Sequence, residues 1–137
     1  MARFLLGQGP VKVLNGVSAN GKGVAYDVSS YEQITVQVHT KTSAAATIKF
    51  AVSMSLTQPN FSSSPSDTNV YDYVDLTPLN NQATPIVGGT GIVLTGTDIT
   101  KLYAVDSKFI KWICPIVSGY SAGVISCEMN AANNYGR

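Results

Sequence analysis

The sequence predicts an all-β protein: a single antiparallel β-sandwich, jelly-roll-like, with about nine short strands, and a small β-barrel as the alternative. Three observations predict it. Apolar and polar residues alternate with period two over several runs, and Gly, Asn, Ser and Pro punctuate the chain at short intervals. No window carries apolar residues at helical spacing between recognisable caps. With 137 residues, 45% of them hydrophobic, the chain holds enough apolar material for one core.

Residues 11–14 and 23–28 are the first strand candidates, and between them Asn15-Gly16 and Asn20-Gly21 supply residues that tolerate positive φ in tight turns. Over residues 31–39, Ile34, Val36 and Val38 alternate with Thr35, Gln37 and His39, the signature of a half-buried strand. Residues 47–54 repeat it, with Ile48, Phe50, Val52 and Met54 on one face and Thr47, Lys49 and Ser53 on the other. Residues 55–68, rich in Ser and Pro, are too long for a turn and read as a surface loop or as a contact arm that orders against a neighbour. Residues 69–76 form the next candidate, followed by 92–95 after the Gly88-Gly89-Thr90-Gly91 turn, and by 99–105. Residues 109–117 are almost continuously apolar, as expected of a strand buried on both faces, and 123–129 close the series after a turn at 118–121. Residues 1–14 are expected as an extended N-terminal arm leading into the first strand, 15–130 as the sandwich and 131–137 as a C-terminal tail.

Charged residues make up only 12%, about half the usual share, and their place is taken by Ser, Thr, Asn, Gln and Gly. The net charge of +1 is scattered singly, so no basic stripe exists to displace counterions from phosphates, which excludes a nucleic-acid binder. No apolar run approaches the ~18 residues of a membrane span, and the stretch at Phe4-Leu5-Leu6 is too short for a signal-peptide core. The expectation is a protein folded in a reducing cytosol. Cys114 and Cys127 are too few for a disulfide scaffold and read as buried thiols. A hairpin of 110–117 with 124–129 would bring them near each other, although a bridge between neighbouring strands is geometrically awkward.

One catalytic pattern matches by letter. Gly119-Tyr120-Ser121-Ala122-Gly123 reads G-x-S-x-G, but a nucleophile elbow needs a strand-to-helix turn, and this segment lies between β-runs. The single histidine, His39, precedes it on the polar phase of a strand. One His and two Cys do not make a zinc site, and Asp67, Asn69, Asp72 and Asp75 lack EF-hand spacing and read as solvated edge charges. Residues 88–91 lack the Lys-Ser/Thr ending of a phosphate loop. No catalytic, cofactor-binding or metal-binding residue is assigned, and no enzyme is expected.

Recognition falls instead to apolar and aromatic side chains in polar surroundings. The candidate interface comprises Arg3, Phe4, Leu5 and Leu6 in the N-terminal arm, Pro59 and Phe61 in the Ser/Pro loop, the pair Tyr71 and Tyr73, and Tyr120 at a turn. Exposed tyrosines could stack on a sugar; buried, they flank the sheet. Trp112 is expected in the core.

Four stretches carry a resemblance. Gly23-Val24-Ala25-Tyr26-Asp27-Val28-Ser29-Ser30-Tyr31, Tyr71-Asp72-Tyr73-Val74-Asp75-Leu76, Gly89-Thr90-Gly91-Ile92-Val93-Leu94-Thr95-Gly96-Thr97-Asp98 and Lys111-Trp112-Ile113-Cys114-Pro115-Ile116-Val117-Ser118-Gly119-Tyr120-Ser121-Ala122-Gly123 resemble small β-sandwich structural proteins encoded among the virion genes of tailed bacteriophages. The resemblance spans roughly residues 16–129, and its motifs carry sheet and turn constraints without any fixed site to transfer. It implies a virion component assembled in the host cytoplasm, above all a capsid decoration or cement protein. Its implied partners are the major capsid protein or other virion proteins and further copies of itself, with no cofactor. A tail, collar or baseplate position, or a module reading host carbohydrate, are the alternatives.

Overall fold

Strands of alternating polarity turn their apolar faces toward one another, and here two antiparallel sheets do so. A computed structural model describes residues 10–79, 84–105 and 110–132. Arg3, Phe4, Leu5 and Leu6 lie outside the described residues. The elements are β1 (Val11–Val17), β2 (Gly21–Lys22), β3 (Tyr26–Asp27), β4 (Gln33–Thr40), β5 (Ala44–Ser53) and β6 (Asp72–Tyr73). They continue with β7 (Leu76–Pro78), β8 (Ile92–Gly96), β9 (Thr100–Val105), β10 (Trp112–Ala122) and β11 (Ile125–Ala132).

The first sheet runs β1-β11-β4-β9-β7. The second runs β2-β10-β5-β6, with β3 also on β10 and β8 also on β5. Every pairing between these strands is antiparallel. Leaving aside the short β6 and β7, β1-β11-β4-β9 faces β2/β3-β10-β5-β8, and the chain passes from one sheet to the other at most connections. That is jelly-roll topology, with open sheets in place of the alternative barrel. Between the sheets lie Val36 and Val38 of β4, Ile48 and Phe50 of β5, Ile113 and Val117 of β10, and Ile125, Cys127 and Met129 of β11, all buried.

The alternation read in residues 31–39 holds: Ile34, Val36 and Val38 are buried and Thr35, Gln37 and His39 are half-buried. Other boundaries differ. Val13 and Leu14 are core residues of β1, so the sandwich begins before residue 15, and Ala131 of β11 carries it past 130. Residues 69–76 are two strands, because the chain leaves the second sheet after Tyr73 and joins the first at Leu76. Residues 118–121 continue β10 through an irregularity at Gly119 (φ 58°), and the turn comes at Gly123. Asn15-Gly16 marks a register shift within β1, where Gly16 has φ 62°. β10 and β11 belong to different sheets, so no hairpin joins Cys114 to Cys127, and both are free and buried.

Residues 23–28 form two short strands for a reason that lies on β10. Pro115 has no N–H to give, and in a strand a residue's N–H and C=O point to the same side. Its carbonyl accepts from the Gly23 N–H at 2.8 Å, so the missing donor faces the gap between β2 and β3. There the chain bends toward β1, and the Val24 N–H donates to the Val13 carbonyl at 2.9 Å. Gly23 is required at this bend: a Cβ would lie 2.1 Å from the Val13 oxygen.

Candidate functional site

The register of β5 sets Ala51 opposite Cys114 of β10 on one side and Tyr73 of β6 on the other. Two small side chains side by side leave a hollow on the outer face of the second sheet. Phe61 and Tyr71 fill it, forming with Ala51 and Cys114 a second apolar cluster outside the main core. Phe61 meets Tyr71 edge-on with centroids 5.1 Å apart, and Tyr71 meets Tyr73 at 5.9 Å and 88°. Lys49 lies over the Tyr73 ring at 5.0 Å and Lys111 over Trp112 at 5.3 Å, placing two cations on aromatic faces.

The Ser/Pro loop that delivers Phe61 is tied down by its polar residues. The Asn69 side chain accepts from the Asn60 N–H at 2.8 Å and donates to the Asn60 and Ser64 carbonyls at 2.9 and 3.2 Å. The Tyr71 hydroxyl donates to the Ser63 carbonyl, and the Trp112 indole donates to that of Ser55 at 2.9 Å. Burial, with Tyr73 beside it, pushes the Tyr71 phenol up to about 12, and burial pushes the Cys114 thiol up to about 11.

This changes the reading of the aromatic candidates. Pro59, Phe61 and Tyr71 are buried within the chain, the last two only 3% and 8% exposed, so they hold the loop and offer no free contact area. The loop is thus a cap on its own sheet, not an arm awaiting a neighbour, because its apolar residues find a hollow at home. Tyr73 is half-buried at the rim. Tyr120 closes over its own turn, its hydroxyl donating to the Gly123 carbonyl at 2.7 Å. Trp112 belongs to this outer cluster and not to the core.

The outer face of the first sheet carries no such cap among the described residues. It presents Thr35, Gln37 and His39 of β4, Ser126, Glu128 and Asn130 of β11, and Leu102 of β9 opposite Gln37. Glu128 accepts from Gln37 Nε2 at 3.2 Å and pairs with His39 Nε2 at 3.2 Å. The face is flat, hydroxyl- and amide-rich, and its charge is largely self-paired.

Sequence reasoning missed an apolar groove of about 350 Å³ at the end of β5, lined by Val52, Met54, Val70, Tyr71 and Ile110. Met54 (73% exposed) and Val70 (56%) border it, with Leu56 (89%) nearby. Met54 is on the core phase of the alternation, but the strand stops at Ser53 and releases it. Ser121 lies on β10, its hydroxyl directed to the Ala45 carbonyl, whereas His39 lies on the other sheet, so the G-x-S-x-G match assembles no dyad. Asp72 and Asp75 accept from the Tyr73 and Gly88 N–H groups, and no metal-ligating cluster occurs among the described residues.

No protein-family model matches the chain, and no curated protein matches its sequence. In fold it is similar to the SPBc2 prophage-derived protein YomS, known from a crystal structure, with a TM-score of 0.65 and 10% identity. The likeness covers 97% of this chain and 96% of that one.

Proposed function

We propose that this chain is a non-enzymatic structural protein of a bacteriophage virion, a decoration or cement protein that binds the lattice of the major capsid protein and reinforces it. The observation that carries the reading is the likeness of fold, nearly end to end in both chains, to a prophage-derived protein. The sequence resemblance to small virion β-sandwich proteins supports it from a second direction.

The surfaces suit such a role. Hydroxyls and amides on the open face of the first sheet can hydrogen-bond a neighbour with little desolvation, whereas lysine and glutamate are depleted at interfaces. Many copies on a regular shell turn weak contacts into firm attachment, so no single deep site is needed. The sugar-reading alternative loses ground, because Tyr71 is buried beneath its own loop and Tyr120 is bonded to its own turn.

The test is to add purified protein to capsids lacking it. Saturable binding at a stoichiometry fixed by the lattice, with a raised temperature of capsid disruption, supports the reading. Absence from mature particles, or attachment to tails in place of heads, overturns it.

A further inference from the structure

A sheet edge presents a row of unpaired backbone N–H and C=O groups, and folded proteins blunt such edges with charge, proline, bulges or brevity. Three sides here are blunted. β1 carries Lys12 and two register shifts, and its Val13 carbonyl already accepts from Val24. β7 is three residues long, ends in Pro78, and exchanges both Leu76 backbone bonds with Ile86. β2 and β3 have two residues each and carry Lys22 and Asp27.

The fourth side differs. There β6 is short and bears Asp72, but β8, Ile92-Val93-Leu94-Thr95-Gly96, has five residues, no charge and no proline. It pairs with β5 over Ala44–Ile48 without a register shift, and among the described residues no strand lies on its other side. Ile92 and Leu94 are buried in the core, while Val93 stands 53% exposed on the outer face. In an antiparallel ladder alternate residues turn their backbone groups away from the partner strand, so β8 offers a straight set of donors and acceptors.

We infer that the free edge of β8 is a self-association surface, on which a second copy adds its own β8 antiparallel across a two-fold axis to make one continuous sheet. Only an extended strand satisfies such an edge, and an uncharged strand meets no repulsion from its own image. Centring the axis on Leu94 uses all five residues and sets Val93 opposite Thr95, a β-branched pair of the kind favoured across strands. Any other centre that keeps the outer faces aligned shortens the overlap. So short an edge buries far less than the roughly 1,200 Å² of a stable complex, so the pairing is weak in dilute solution and strengthens where copies are held close. The inference does not depend on the virion role.

Covalent capture tests it in the full chain, whose native thiols are buried. Chains carrying Val93→Cys and chains carrying Thr95→Cys are mixed with a one-carbon bis-thiosulfonate, after thermal unfolding has shown that each variant folds as the parent does. The short arm of that reagent joins opposed strand positions without the strain of a direct disulfide. The mixed 93–95 cross-link is expected to exceed both same-residue cross-links by roughly tenfold over the statistical ratio. Thr100→Cys, exposed on the first sheet, gives the background. A statistical mixture, or a 93–95 yield no higher than that background, overturns the proposal. Excess parent chain is expected to suppress the cross-link and excess Val93→Lys/Thr95→Lys chain to suppress it less; equal suppression by both overturns the proposal.

Discussion

The hydroxyl of Tyr71 donates to the carbonyl oxygen of Ser63 at 2.6 Å, tying the start of β6 to the tip of the loop that covers it. The ring beneath that hydroxyl is packed between Phe61 and Tyr73, so one side chain both fills the hollow over Ala51 and fastens its lid.

Tyr71→Phe keeps the ring and removes the bond. The Ser63 carbonyl keeps a longer bond from the Asn69 amide at 3.4 Å, so the loss is that of one hydrogen bond, about 0.5–1.5 kcal/mol, and it falls on the loop before the sandwich. The expected result is faster proteolysis within residues 60–66 and a small fall in the urea midpoint. The phenol titrates near 12 against an ordinary 10, so the folded state favours the protonated form. The contribution is therefore full below pH 10 and is lost as pH rises through 12, and the gap between parent and variant narrows over that window.

Cys114 and Cys127 report separately on the two apolar clusters, since one lies under the loop and the other between the sheets. Both thiols are raised by burial and react slowly at neutral pH. Phe61→Ala should speed alkylation of Cys114 at least ~10-fold, through local opening, while Cys127 keeps the rate set by global unfolding. Equal acceleration of both, measured by mass spectrometry of the labelled peptides, would show that loop and sandwich open together.

Gly23→Ala drives a methyl group to 2.1 Å from the Val13 oxygen and 2.9 Å from the Pro115 ring. Backbone cannot yield cheaply there, and a destabilisation of about 3 kcal/mol or more is expected. Gly89→Ala meets nothing within 4 Å and serves as the control, with a thermal midpoint close to that of the parent.

Asp27 accepts from Lys111 Nζ at 2.8 Å and from the Ser29 hydroxyl and N–H at 2.6 and 3.0 Å. These bonds, Lys111 first, lower its carboxyl from 3.8 to about 2. A depressed folded pKa means that the stabilisation is complete above pH 3.8 and is lost as pH falls through 2. Because the pair is partly exposed it is worth about 0.5 kcal/mol. Asp27→Asn should lower the urea midpoint slightly at neutral pH, and the difference should shrink below pH 3.8 and vanish as pH falls through 2. A difference that persists unchanged at pH 2 would show that Asp27 acts through packing.

Strand identity was legible where one face is buried and the other is not, as in β4, because period two is then written directly in side-chain polarity. The near-continuous apolar run around Ile113 and Cys114 was legible as two-sided burial, although what covers its outer side was not. Nothing local in residues 55–68 says that Phe61 will find Ala51 and Cys114, since that hollow exists only once β5, β6 and β10 are in register. Tyr71 was singled out for its chemistry, but whether it lay exposed or buried against the sheet was open for the same reason. Turns were misplaced where glycine serves a bulge, as at Gly16 and Gly119, because a positive φ suits both uses.

The strand order of the first sheet has a consequence for biosynthesis. β11 lies between β1 and β4, so the latest of the described strands slots between two of the earliest. Until β11 is in place, β1 has no neighbour in its sheet and β4 has only β9, on its far side. The first sheet is thus completed late, by insertion of a strand between two that were made long before it.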